Sequence, residues 1–191
     1  VTEEQVIREI NAAVEGGAKE AVLTGVHLGS WGGDFSYKLR LEHLIQAILR
    51  ETDIARLRLS SLEPWDLGPG FFEAWRDRRL CPHLHLPLQS GSAKILRRMA
   101  RKVTPDSFYR LIETARSSIP GLAITTDVIV GFPGEGAAEF DESLDYVKDI
   151  GFAGGHVFTY SPRPGTAAAA FPDQVPQAVK KERNAQMRRV K

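Results

Sequence analysis

The side chains in this chain that can do chemistry are polar groups recurring at the ends of short apolar runs. In chain order they are Thr24, Gly25 and His27, then Ser60, Ser61 and Glu63, then His85, Gln89 and Ser90. Thr126, Asp127 and a Gly131–Glu135 loop, GFPGE, come next, and Tyr160, Ser161 and Arg163 close the set. Hydroxyls, amides, carboxylates and a guanidinium at the carboxyl ends of successive strands converge on one ligand when those strands run parallel. The stretch His83–Met99, HLHLPLQSGSAKILRRM, is the most specific text. His83, His85 and Pro87 alternate with Leu84, Leu86 and Leu88, so one face of a pleated strand is apolar and the other presents ring nitrogens. Gly131 and Gly134 around Pro133 predict a rigid turn whose backbone amides approach a ligand.

The same residues support other chemistry. Cys81, His83 and His85 alternate on one strand face and are all metal-binding types, which suits zinc, although a cysteine before a proline at a strand start also serves as packing. His83, His85, His156 and Asp127 together suit a metal-dependent barrel hydrolase. A third reading is non-enzymatic. From Lys180 to Lys191 the chain holds six basic residues and one acidic, which suits a solvated helix face or, through Arg188, Arg189 and Lys191, a surface that contacts RNA.

The elements that position these groups alternate. Thr2 and Gln5 form a capping-box pattern before a helix with Val6, Ile7, Ile10, Ala13 and Val14 on one face, which Gly16 and Gly17 stop. Strands are predicted over Glu20–Leu28, Ala55–Leu62, from His83, over Ala123–Val130 and over Gly155–Tyr160. Each precedes a helical pattern: Leu41 to Leu49, a helix near Phe71–Arg78, Ile95 to Met99, and Phe140 to Ile150 closed by Gly151. Thr104 and Pro105 read as the N-cap and first-turn proline of a further helix, and the last residues form a basic one. Such alternation predicts a parallel sheet covered by helices. Polar groups on one face of several strands favour a closed or partly closed barrel around a ligand over an open sheet. A helix-first chain with five strands suggests a barrel whose first strand lies outside the sequence.

Composition excludes little and constrains usefully. With 191 residues, 42% apolar and 26% charged, and a net charge of +1, the chain reads as globular with no global attraction to nucleic acid or membrane. No apolar run reaches the roughly 18 residues of a spanning helix, and the expected location is cytoplasmic. Cys81 is the only cysteine, so an internal disulfide is excluded and one thiol cannot hold an iron–sulfur cluster.

The segments LTGVHLGSWG, LRLSSLEPWDL, CPHLHLPLQSGS with ILRRMARKVTP, TTDVIVGFPGE and YSPRPGTAA resemble the radical S-adenosylmethionine (SAM) methylthiotransferases. Within them the chain is most similar to the bacterial enzymes that methylthiolate threonylcarbamoyladenosine next to the anticodon of tRNA. The resemblance implies an α/β fold, a partial parallel (β/α) barrel over residues 1–175 lacking the first strand and its cluster loop, and a basic helix over 176–191 leading toward an RNA-binding domain. It implies S-adenosylmethionine and two [4Fe–4S] clusters in the whole protein, tRNA as partner, and a reductant such as a flavodoxin or ferredoxin. The implied chemistry is reductive cleavage of S-adenosylmethionine, hydrogen abstraction from the adenine ring, sulfur insertion and methyl transfer. The implied cofactor-binding positions are Thr24, Gly25, Glu63, Gln89, Ser90, Thr126, Asp127, Gly131, Tyr160 and Arg163, with no metal ligand in this chain, which alone is expected to be inactive. An isopentenyladenosine tRNA or ribosomal-protein target fits LTGVHLGS and SSLEP less well. Gly136, where the family more often has threonine, weakens a helix cap.

Overall fold

The computed structural model describes residues 1–35, 39–68 and 70–190. The chain forms two compact units, residues 1–85 with 114–123, and residues 86–113 with 124–191.

In the first unit, α1 (Glu3–Glu15) starts on the expected capping box: Gln5 N donates to Thr2 Oγ1 at 3.3 Å and Thr2 N donates to Gln5 Oε1 at 2.9 Å. Strands β1 (Glu20–Leu23) and β2 (Arg56–Leu59) pair in parallel with Glu20 opposite Arg56 and Leu23 opposite Leu59. Between them α2 (Leu41–Glu51) buries Leu41, Leu44, Ile45 and Ile48. Its carboxyl end is tied down by Arg79, whose guanidinium donates to Thr52 O at 2.9 Å and to Leu49 O; a cation there satisfies carbonyls that have no helical partner. The chain beyond β2 runs beside β3 (His83–His85) through parallel bridges at Leu57 with Leu80 and Ser61 with His85.

Two expectations are corrected here. The strand predicted over Glu20–Leu28 ends at Leu23, and a 3-10 turn over Leu28–Ser30 follows. The stretch near Phe71–Arg78 is a 3-10 run over Phe71–Arg76. Phe71, Phe72 and Ala74 are all buried there, and the indole of Trp75 donates to Cys81 O at 2.9 Å. Side chains spaced at one and three residues suit the tighter helix.

The second unit is organised on β4 (Ala123–Val130) and β5 (Gly154–Thr159), parallel with Thr125 opposite Gly154 and Val130 opposite Thr159. On the other side of β4 runs the Leu86–Gln89 segment: Leu86 N donates to Thr125 O, Gln89 N to Asp127 O, and Ile129 N to Gln89 O, at 2.8 to 2.9 Å. Along β4, Ile124, Thr126, Val128 and Val130 are buried while Thr125, Asp127 and Ile129 are half-buried, which is the period of two expected when helices cover one face. The helices of this unit are α3 (Ala93–Arg98), α4 (Pro105–Ser118) as far as Glu113, α5 (Ala137–Ile150) and α6 (Gln177–Met187). Thr104 caps α4, accepting from Ser107 N at 3.2 Å. Gly151 closes α5 in the left-handed region with φ of 63°.

Helix α6 is shorter than the expected 176–191 helix and belongs to the second unit. Lys180 and Met187 on it are buried, and Asn184 Nδ2 donates to Val157 O of β5 at 2.9 Å.

Candidate functional site

A cavity of about 830 Å³ lies at the carboxyl end of β4 and β5 in the second unit. Ile129, Phe132 and Phe171 make its apolar walls; Gln89, Asp127, Tyr160, Ser161 and Arg163 supply polar groups. An apolar pocket with a few placed polar groups is the usual form of a small-molecule site. Two features of its lining stand out. The Tyr160 hydroxyl is shut away from solvent and has no protein partner, and a buried polar group left unmade is costly unless something else satisfies it. Gln89 has φ of 73°, a left-handed conformation that is uncommon for a side chain of its size, while its N–H and C=O both bond to β4.

The loop after β4 forms one wall, and α6 holds it. Gly131 N donates to Glu135 Oε1 at 2.8 Å, and Arg183 Nη1 donates to both Glu135 O and Glu135 Oε1 at 2.8 Å. Glu135 is 4% exposed. Burial pushes its carboxyl above the ordinary range, opposed by the Gly131 N–H and by the Arg183 guanidinium. Gly131 has φ of 73°, and a Cβ on it would sit 2.4 Å from Lys180 Cγ. Lys180 Nζ donates to Tyr160 O at 3.0 Å. Phe132, carried by the same loop, meets Tyr160 edge-on with ring centroids 5.1 Å apart. Arg98 fastens the outer side, donating to Pro133 O at 2.9 Å and to Asp173 Oδ1 at 2.7 Å.

Of the expected site residues, the structure brings Gln89, Asp127, Tyr160 and Arg163 to this one cavity. It turns others away. Thr126 is 4% exposed on the opposite face of β4, and its hydroxyl donates to Leu86 O at 2.7 Å and accepts from Leu88 N at 3.0 Å. The period of two puts neighbours Thr126 and Asp127 on different faces, so both cannot meet one ligand. Ser90 is fully buried and accepts from Ser92 N at 3.1 Å. The amides of Gly131 and Gly134, expected to approach a ligand, instead donate to Glu135 and to Asp173 O; their positive φ values serve the loop's own closure.

In the first unit, Thr24 and Gly25 are exposed in the loop that leaves β1, and Glu63 precedes a 3-10 turn over Pro64–Asp66. Arg188 and Arg189 are exposed at the end of α6, with Arg188 lining a second cavity of about 310 Å³ beside Met187 and His156; Lys191 lies outside the described residues. Lys180 and Arg183 do not belong to a solvated basic face, because both point inward. Their spacing with Met187, three and seven residues from Lys180, was the sequence signal of that inward stripe.

The metal readings are not supported by side-chain placement. Among the described residues no three His, Cys, Asp or Glu side chains converge as metal ligands. His156 Nδ1 lies 3.2 Å from Asp127 Oδ1 as a pair, and Cys81 is buried. Burial, with the Arg58 and His85 charges, holds His83 below its ordinary range.

Comparison with known proteins gives these features a context. Residues 1–147 match the model of the Radical SAM superfamily. The chain belongs to the radical SAM superfamily. Its relatives include the tRNA-2-methylthio-N(6)-dimethylallyladenosine synthase of Caldicellulosiruptor saccharolyticus, 41% identical over 94% of this chain and 38% of the relative. They also include the threonylcarbamoyladenosine tRNA methylthiotransferase MtaB of Thermotoga maritima, 44% identical over 87% of this chain and 38% of the relative. The chain thus spans about two fifths of the length of these curated relatives. Radical SAM enzymes of known structure share its α/β fold: coproporphyrinogen III oxidase (HemN) of Escherichia coli matches with a TM-score of 0.65 at 14% identity, covering 97% of this chain and 43% of HemN. Radical SAM methyltransferase TsrM of Kitasatospora setae matches with 0.66 at 15% identity, covering 97% and 41%.

Radical SAM proteins use S-adenosylmethionine with a [4Fe–4S] cluster. The 830 Å³ cavity, its aromatic wall and the orphaned Tyr160 hydroxyl fit a nucleoside-bearing ligand. The residues present do not fit a cluster, since the chain has one cysteine and it is buried.

Proposed function

We propose that this chain is the S-adenosylmethionine-holding part of a methylthiotransferase that modifies an N6-substituted adenosine in tRNA, with threonylcarbamoyladenosine next to the anticodon as the substrate. The observation that carries the reading is the 41–44% identity to tRNA methylthiotransferases over most of this chain. Phe132 and Ile129 supply the face on which an adenine is buried, and Gln89, Asp127 and the Tyr160 hydroxyl hold the polar edge and the ribose. Bound S-adenosylmethionine supplies hydrogen-atom abstraction and methyl donation. The chain's own residues orient that cofactor and keep water from it, which is the protein's share of such chemistry. Arg183 and Glu135 act one layer out, fixing the loop that carries Phe132.

Arg188, Arg189 and Lys191 are proposed to contact the tRNA backbone, and a flavodoxin- or ferredoxin-type protein to supply electrons. With one cysteine, this chain alone is proposed to be catalytically silent. Dimethylallyladenosine is the second reading, because relatives bearing that name are 41–42% identical over 181 residues. Nucleoside mass spectrometry of tRNA from a deletion strain decides between them. Loss of the methylthio form of threonylcarbamoyladenosine, restored by the full-length gene, is the expected result. Loss of the dimethylallyl form instead would move the assignment to the second reading, and no change in either would end it.

A further inference from the structure

One face of β5 carries an aromatic pair that the cofactor reading does not use. In the second unit Phe108, Phe132, Phe140 and Phe152 are buried, whereas Phe158 is 51% exposed. The period of two puts His156 and Phe158 on the same face of β5, and the parallel register sets them beside Asp127 and Ile129 of β4. Asp127, Ile129 and Phe158 all line the 830 Å³ cavity. The aromatic face therefore continues, one strand over, the wall on which the cofactor is proposed to lie.

The pair presents rings rather than hiding them. The His156 and Phe158 ring centroids are 6.0 Å apart and the rings are 30° from parallel. His156 Nδ1 lies 3.2 Å from Asp127 Oδ1, with the imidazole 73% exposed and the carboxylate 23%. What Asp127 fixes is thus a ring standing in the open beside Phe158. Exposed aromatic faces suit a flat partner, and nucleobases stack on them whatever their sequence. Charge points the same way. Arg98, Arg101 and Arg163 line the cavity, and among its described lining residues Asp127 is the one carboxylate. Arg98 is matched by Asp173; the remaining excess of cation suits the phosphates that flank a base. An enzyme that reacts at a base must take it out of its stack and bring the reacting atoms to within about 3–3.5 Å. The receiving surface has to abut the cofactor, as Phe158 does through Ile129.

We propose that Phe158 is the platform on which the target adenine of the RNA stacks once it has left its neighbours, with His156 and Asp127 as positioning residues behind it. This rests on the proposed tRNA substrate and deepens it. It holds for either N6 group, because the ring meets the face of the base and not its substituent.

The test uses the full-length enzyme, reconstituted anaerobically and loaded with S-adenosylmethionine. Binding is measured to an anticodon stem-loop RNA carrying threonylcarbamoyladenosine and to the same stem-loop with an abasic target position. Wild type is expected to favour the modified loop by at least about tenfold, the size of one base–aromatic stack. F158A and F158L are expected to lower that ratio about tenfold through weaker binding of the modified loop alone, and F158W to keep it. H156A is expected to lower it about threefold in wild type and not at all in the F158A background, because its ring acts through Phe158. A ratio unchanged in both F158A and F158L overturns the assignment. So does an equal loss with the abasic loop, which makes the face a general contact, or a matching loss of S-adenosylmethionine affinity, which makes the ring a cofactor wall. An unchanged Tm in F158L separates a lost contact from a lost fold. Failure of wild type to methylthiolate stem-loops bearing either threonylcarbamoyladenosine or dimethylallyladenosine is a distinct result that overturns the function on which the platform rests.

Discussion

Replacing Arg183 with leucine tests whether α6 holds the cavity wall through charge. Glu135 is 4% exposed, and the Arg183 and Glu135 side chains are 11% and 2% exposed. The substitution leaves a buried carboxylate with the Gly131 N–H as its remaining protein donor. Removing one partner of a buried ion pair costs about 3–5 kcal/mol, because the other charge is stranded. For a chain of this size that is a fall in Tm of about 6–20 °C at neutral pH. The pH dependence has a definite sign. Burial already raises the Glu135 carboxyl in the folded protein above its ordinary 4.5, so its ionised form is a penalty that is absent below that value. The penalty grows as pH rises through the folded value and is complete above it. Removing Arg183 raises the folded value further. The gap between R183L and wild type is therefore small near about pH 4, where Glu135 is protonated in both, and largest above neutrality. Urea unfolding at several pH values measures it. Adding E135Q to R183L is expected to recover most of the loss by removing the stranded charge. A loss independent of pH, with no recovery in the double variant, would refute the electrostatic account.

Three further outcomes follow from the packing around the cavity. Thr126→Val keeps the shape of β4 but orphans Leu86 O and Leu88 N. It is expected to lower stability by about 1–3 kcal/mol while calorimetry finds S-adenosylmethionine affinity unchanged in the folded full-length enzyme. Tyr160→Phe removes a hydroxyl that has no protein partner, so stability is unchanged or slightly higher while S-adenosylmethionine binding weakens about tenfold; equal binding by isothermal titration would discount the hydroxyl as a ligand group. Gly131→Ala meets Lys180 at 2.4 Å in a left-handed backbone. It is expected to cost more than 1 kcal/mol, with only part regained in a G131A, K180A double variant, because trimming Lys180 relieves the clash and not the backbone strain.

Much of this was written in local pattern. The alternation of Leu84, Leu86 and Leu88 with polar neighbours, the apolar AITTDVIV run and the Thr2–Gln5 cap each specify an element through contacts a few residues apart. Each of the five strands and the capping box forms at the pattern that predicts it, although β1 stops at Leu23. The clustering of Gln89, Asp127, Tyr160 and Arg163 also follows from the parallel order, since the carboxyl ends of paired strands must lie together. What the chain alone does not carry is the facing of a polar residue whose neighbours are equally polar. Thr126 and Asp127 are interchangeable as text, and only the pairing of β4 with Leu86–Gln89 turns the first onto its neighbour's backbone and the second into the cavity. The same holds for the basic helix. Lys180 and Arg183 look like their exposed neighbours until β5 and the Gly131–Glu135 loop give them a buried carbonyl and a buried carboxylate to meet. His27 and Asp66, 39 residues apart, become a pair because β1 and β2 are adjacent. Local sequence thus determines the elements and their order, whereas tertiary packing decides which polar groups are spent on the fold and which remain free for a ligand.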